Sequence, residues 1–224
     1  MGRKPSPIMP KNKSGSSSLL ELMSDRHEAS PETPVPAKRG GQTKGKTKTG
    51  ANRKGKLIAF GWFGGKYSHL DWLLPLLPAC HHYCEPFGGS AAVLLNREPS
   101  PVETYNDLDG EVVNFFRTLR EQKDALLEAI ALTPFSREEF FNALSEDPSQ
   151  LPPLERARRF YVRARQVRTG LAQTASLGRW ANCKNTSRQG MAGVVSRWLG
   201  SVEQLPEIAL RLLRVQIENR PALE

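Results

Sequence analysis

Two glycine-rich turns and one carboxylate are the residues of this chain whose types and spacing suit chemistry. The first turn is Phe60-Gly61-Trp62-Phe63-Gly64-Gly65-Lys66, and the second, Glu85-Pro86-Phe87-Gly88-Gly89-Ser90, begins nineteen residues after Lys66. Glycines let a ligand approach the main chain where a Cβ would block it. A strand ending in an acid, then such a turn, then a small-residue helix presents backbone N–H groups to a ligand. Asp107 follows Glu85 by 22 residues, in Tyr105-Asn106-Asp107-Leu108. A carboxylate just past a second strand suits the two hydroxyls of a ribose. The plainer alternative is a structural strand-to-helix turn with Asp107 capping the helix. In the first turn Trp62 offers a flat face to a base or a cation, and Lys66 a charge to neutralise a carboxylate. Against that stands Trp62 as a core aromatic and Lys66 as a solvated charge.

A second set of residues is cationic. Residues 155–200 carry ten Lys/Arg and one acid, whereas residues 98–150 carry twelve acids and four bases. This segregation predicts a polarised surface whose basic face meets the phosphates of nucleic acid. The candidates are Arg163, Arg165 and Arg168 on a helical stretch, and Arg179, Lys184 and Arg188 within the Gly/Ser/Thr/Asn/Gln-rich residues 169–193. A solvated helix face is the alternative for the first three. Cys80-His81-His82-Tyr83-Cys84 invites a zinc reading, but adjacent histidines on a strand point to opposite faces and Cys183 stands alone. No metal ligand is assigned.

The elements that must position these groups follow from periodicity. Leu70, Leu73, Leu74 and Leu77 predict a short helix ending by Pro78. Residues 81–84 read as a strand, 91–96 as a helix, 102–105 as a second strand, and 110–119 as a helix with Val112, Val113, Phe115, Phe116 and Leu119 inward. Strands alternating with helices predict an α/β fold with a parallel, doubly wound sheet. Residues 120–214 then read as almost entirely helical, over 126–130, 137–144, 154–167 and 205–215, with residues 169–193 as an exposed polar loop region. Leu213, Val215 and Ile217 alternate as a strand would.

Composition sets the outer bounds. The 224 residues suffice for one domain with a core, or a domain plus a tail. The formal charge of +9 favours a polyanionic partner. Residues 1–56 hold 13 Lys/Arg against 4 Asp/Glu, and residues 57–224 hold 19 of each. Residues 1–55 contain no aromatic and read as a disordered basic tail, either a salt-sensitive contact for nucleic acid or a solubilising segment. Three cysteines are too few for a disulfide framework. No run of 18 apolar residues predicts a membrane span, and the N-terminus lacks the apolar stretch of a secretory signal. A cytoplasmic protein with no membrane partner is expected.

The motifs together resemble the Dam-like DNA N6-adenine methyltransferases. Trp62-Phe63-Gly64-Gly65-Lys66 is similar to that family's aromatic-x-Gly-Gly-Lys motif, Glu85-Pro86-Phe87-Gly88-Gly89-Ser90 to its cofactor turn, and Asn106-Asp107 to its Asn-Asp pair. The resemblance implies a Rossmann-like domain that uses S-adenosylmethionine to methylate N6 of adenine in double-stranded DNA, with the base flipped out. It places Trp62 and Lys66 against the cofactor, the turn Glu85, Pro86, Phe87, Gly88, Gly89 and Ser90 on its methionine side, and Asp107 on its ribose. It divides the chain into a tail (1–55), a cofactor-binding part (56–120), a helical DNA-recognition insert (121–204) and a return to the methyltransferase domain (205–224). A bacterial or phage origin, with or without a restriction partner, goes with it. One departure stands out: the family's Asp-Pro-Pro-Tyr type tetrapeptide is absent, and Pro152-Pro153 lacks the flanking residues to replace it. The chain is therefore expected to be a partial domain, with no catalytic residue of its own and inactive in isolation. A C-terminal segment or complementary fragment would supply the chemistry, and a non-catalytic DNA-binding remnant is the alternative.

Overall fold

The computed structural model describes residues 55–145, 147–188 and 190–223. The expectations for the basic tail lie outside them. A helical turn, α1 (Leu70–Leu73), is flanked by 3-10 turns at Tyr67–His69 and Leu74–Leu76, the last containing Pro75. There follow β1 (His82–Glu85), α2 (Ala92–Asn96), β2 (Val102–Asn106) and α3 (Gly110–Glu121). The helical segment comprises α4 (Lys123–Ala131), α5 (Arg137–Ser145) and α6 (Pro153–Gln166). After two 3-10 turns and a short hairpin of β3 (Ser187–Arg188) and β4 (Met191–Ala192) come α7 (Gly193–Val202), α8 (Leu205–Leu212) and β5 (Gln216–Glu218).

The main sheet is parallel, in the order β1-β2-β5. His82 lies opposite Val102 and Glu85 opposite Tyr105, while Asn106 lies opposite Glu218. The strands therefore end together, and their following loops meet at one edge, where α/β sheets bind ligands. This mixed arrangement agrees with the partial Rossmann-like class expected from the sequence.

Local chemistry explains the elements. Asp109 caps α3 by accepting from the Glu111 amide (2.9 Å), and Val112, Val113, Phe115, Phe116 and Leu119 are buried as their spacing predicts. Pro153 opens α6 at its first helical position, where a missing N–H costs nothing. Phe60 meets Phe115 and Phe160 edge-on (ring centroids 5.4 and 5.0 Å apart), and Phe115 stacks on Tyr161 (5.5 Å). Tyr161 reaches Trp198 of α7 (5.7 Å), so one core runs from the sheet side into the helical segment. Each fully buried aromatic contributes about 1.5–3 kcal/mol of transfer free energy.

Part of the segregated charge meets inside the fold. Glu111 on α3 pairs with Arg156 and with Arg163 (2.9 Å), and Glu139 on α5 with Arg158 (2.8 Å). Glu155 takes Arg158 (2.7 Å) and Arg159 (2.6 Å) along α6. Glu111 and Glu139 of the acidic segment thus face the basic helix across a packed interface, and with Glu155 they engage four of the ten basic residues.

Candidate functional site

The second glycine turn is stitched to the end of β2. Asn106, which is buried, donates to the carbonyls of Pro86 (2.9 Å) and Arg220 (3.0 Å) and accepts from the Arg220 amide (3.1 Å). The Gly88 amide donates to the Asn106 carbonyl (2.8 Å), and the Tyr105 hydroxyl to the Gly89 carbonyl (2.7 Å). Asp107 joins the two loops: one oxygen accepts from the Gly89 amide (2.7 Å), the other from the Asp109 amide (2.9 Å). The helix cap is Asp109, so the alternative of Asp107 as the cap does not describe this loop.

Gly88 and Gly89 are required for a reason other than ligand approach. A Cβ on Gly88 would lie 2.2 Å from the Tyr105 ring, and one on Gly89 (φ 48°) would lie 2.4 Å from the Trp62 ring. The two turns are thereby brought together, with the half-buried indole of Trp62 packed on Gly89 and near Phe60 (5.9 Å) and Phe160 (6.5 Å). Ser90 is buried beneath, while Pro86, Phe87 and Leu108 are exposed at the rim. Ala91, buried and left-handed (φ 54°), is the one described non-glycine residue in that region of backbone space. The Lys66 ammonium is exposed and donates to the Gly64 carbonyl (2.7 Å), closing its own turn.

Glu85 serves the turn from below. One of its oxygens accepts from the Tyr83 hydroxyl (2.8 Å) and from the Leu94 amide in the first turn of α2 (2.8 Å). Burial pushes its carboxyl up to about 6, against the pull of these two donors and of Arg97 and Arg211. Burial and the neighbouring Glu85 push the Tyr83 phenol up as well, so it remains a donor.

The first turn also touches the helical segment. Gly61 pairs with Leu171 in an isolated bridge, and a Cβ on Gly61 would lie 2.2 Å from the Gly170 carbonyl oxygen. With its amide oxygen turned inward, Gln173 accepts from the Trp62 indole N–H (3.2 Å) and the Phe63 amide (3.2 Å). Sequence reasoning missed Gln173 and Asp109, and named Asn106 without giving it a role. Asp109 lies two residues after Asp107, directly before an apolar-periodic helix, and could have been found as its cap, but nothing local marks Gln173.

The six candidate cations divide. Arg163 is drawn into the fold by Glu111 and the Ala143 carbonyl (2.8 Å). Arg165 donates to the Ile58 carbonyl (3.2 Å) and lies over the Tyr161 ring (5.7 Å). Arg168, Arg179, Lys184 and Arg188 are exposed, and the Arg168 amide donates to the Arg179 carbonyl (2.7 Å). His82 bonds Thr104 (2.9 Å) and Cys80 lies against Ser100 (3.4 Å), and among the described residues no three His, Cys, Asp or Glu converge. No described helix is long and apolar enough to cross a membrane.

Residues 62–182, more than half of the chain, match the family profile described as D12 class N6 adenine-specific DNA methyltransferase. A search of curated protein sequences returns no match.

Proposed function

This chain belongs to the D12 class N6 adenine-specific DNA methyltransferase family, and we propose that its sheet edge and first glycine turn hold S-adenosylmethionine while residues 121–204 hold double-stranded DNA. The observation that carries the reading is Asp107 at the end of β2. Each of its oxygens accepts one backbone N–H. A carboxylate has about four acceptor positions, so capacity remains for two ribose hydroxyls. Trp62 supplies an aromatic wall, and Lys66, with two ammonium hydrogens left beyond its bond to Gly64, a partner for a carboxylate. The turn from Glu85 to Ser90 takes the methionine side, with Glu85 acting from beneath through Leu94. When bound, S-adenosylmethionine supplies an electrophilic methyl group on a sulfonium.

Arg168, Arg179, Lys184 and Arg188 are the proposed DNA contacts, and Arg163 is a positioning residue through Glu111. No Asp-Pro-Pro-Tyr type tetrapeptide occurs among the 224 residues. The groups that would hold the adenine amine and stack the flipped base are proposed to come from a further segment or a complementary fragment. The same absence favours a second reading, non-catalytic DNA binding by residues 1–224.

The test separates ribose recognition from loop support. Calorimetry with S-adenosylhomocysteine and its 2′,3′-dideoxy counterpart should show the dideoxy ligand weaker by about 1–3 kcal/mol on wild type, and no difference on Asp107→Ala. An equal loss on both proteins would remove Asp107 from the ribose. Failure of wild type to bind either ligand would remove the cofactor assignment.

A further inference from the structure

We propose that a cavity of about 160 Å³ beside the end of α6 and α7 is a seat for one DNA phosphodiester, formed by Arg165, Arg168 and Arg197. The inference rests on the DNA-binding reading above, and adds to it a defined site and a residue, Arg197, that the sequence did not single out.

Arg156, Arg158, Arg159 and Arg163 of α6 each meet a carboxylate. Arg165, Arg168 and Arg197 line a single cavity and meet none among the described residues. Three guanidinium groups around one space repel each other unless an anion sits among them. Their planar forks match phosphate oxygens in pairs.

The donors are also prepared. Arg165 is braced by the Ile58 carbonyl and the Tyr161 ring, and its Nε, buried, donates to no protein atom. Arg197 is anchored by its own Nε on the Gly193 carbonyl (3.3 Å), which leaves its terminal N–H groups unused by the protein. The rest of the lining includes Ala164, Val167, Ala181 and Val194. Such a wall offers few side-chain groups to read a base edge, so the seat recognises backbone and not sequence. Gly170 lines the cavity too, and the next residue, Leu171, pairs with Gly61 beside Trp62. A phosphate held here fixes the duplex against the wall of the first turn.

The experiment uses the full 224-residue chain and a fluorescein-labelled duplex of mixed sequence, with anisotropy followed across salt concentration. Arg168→Gln and Arg197→Gln should each flatten the log–log salt slope by about 0.9, and the double variant by about twice that. Arg197→Lys, which keeps the charge, should keep the slope. Without DNA, inorganic phosphate should raise the melting temperature of wild type above that in chloride at equal ionic strength, and not that of the double variant. Wild-type binding with a slope unchanged in the double variant would overturn the seat and leave the DNA reading standing. Absence of DNA binding by wild type would overturn the DNA reading, and the phosphate melting arm would then decide the seat alone: an equal shift in both proteins rejects it.

Discussion

Glu85 shows how one side chain under a binding turn sets conditions on the fold. Its carboxyl is held at about 6, above the ordinary glutamate range, chiefly by burial. The native state therefore binds a proton more tightly than the unfolded chain. The sign follows: this group's contribution is most favourable below the ordinary range, and stability falls as pH rises through about 6. The full effect is about 2 kcal/mol, from the distance between about 6 and the ordinary glutamate value. Urea denaturation of wild type and Glu85→Gln at pH 4.5 and pH 7.5 should show wild type losing about that much more than the variant on going to the higher pH. A parallel fall in both proteins would place the titrating group elsewhere. At this scale the sequence was informative about which residues meet, since Trp62, Gly89 and Asp107 do converge. It was less informative about why. The crowding of Gly88 and Gly89 by Tyr105 and Trp62 comes from packing across elements, which no local pattern encodes.

Between elements, one tie is ionic and hidden. Glu103 on β2 is fully buried, and Arg211 of α8 meets it with two bonds (2.5 and 2.7 Å) while donating also to the Leu94 carbonyl of α2 (2.8 Å). Burial alone pushes the Glu103 carboxyl up, but Arg211, the Ser100 amide and Arg214 outweigh it, and the net shift is down. Arg97 (3.5 Å) and Arg214 (3.6 Å) stay beside Glu103 when Arg211 is removed, so Arg211→Leu should cost the charged hydrogen bonds and not a bare buried charge, about 1.5–3 kcal/mol in urea denaturation. Adding Glu103→Leu should recover much of the loss, and a double variant as unstable as the single would show that the pair does more than cancel charge. Periodicity revealed α3 almost residue for residue, because its apolar stripe is regular and Asp109 precedes it. It missed α7, which begins at Gly193 directly after a polar loop and carries no side-chain cap. It also missed the pairing of Glu111 with Arg156 and Arg163, residues far apart in the chain that packing alone brings together.

For the whole molecule, the 224-residue chain should transfer no methyl group to DNA by itself. Transfer needs the adenine amine held in line with the sulfonium methyl, and preorganised contacts of that kind are each worth on the order of several kcal/mol. Tritiated methyl incorporation into mixed-sequence DNA should stay at background, and should rise when a fragment bearing an Asp-Pro-Pro-Tyr segment is added. Turnover by the chain alone would mean that another acid, most simply Glu85 or Asp107, does the work. The α/β order and the sheet edge that joins the second glycine turn to Asp107 were legible because strand, turn and acid follow one another in sequence. The neutralised interface between α3, α5 and α6 was not, because net charge counts residues without saying which ones touch. One seam has the widest reach. Gly61 against Leu171, and Trp62 against Gln173, make a single wall serve both the first glycine turn and the helical segment. On the proposed reading this wall lies between two ligands, and any coupling it carries is reciprocal: whatever factor DNA applies to the affinity for the cofactor, the cofactor must apply to the affinity for DNA. On the proposed reading, occupancy of both sites at equilibrium then follows from the two concentrations and that one shared factor.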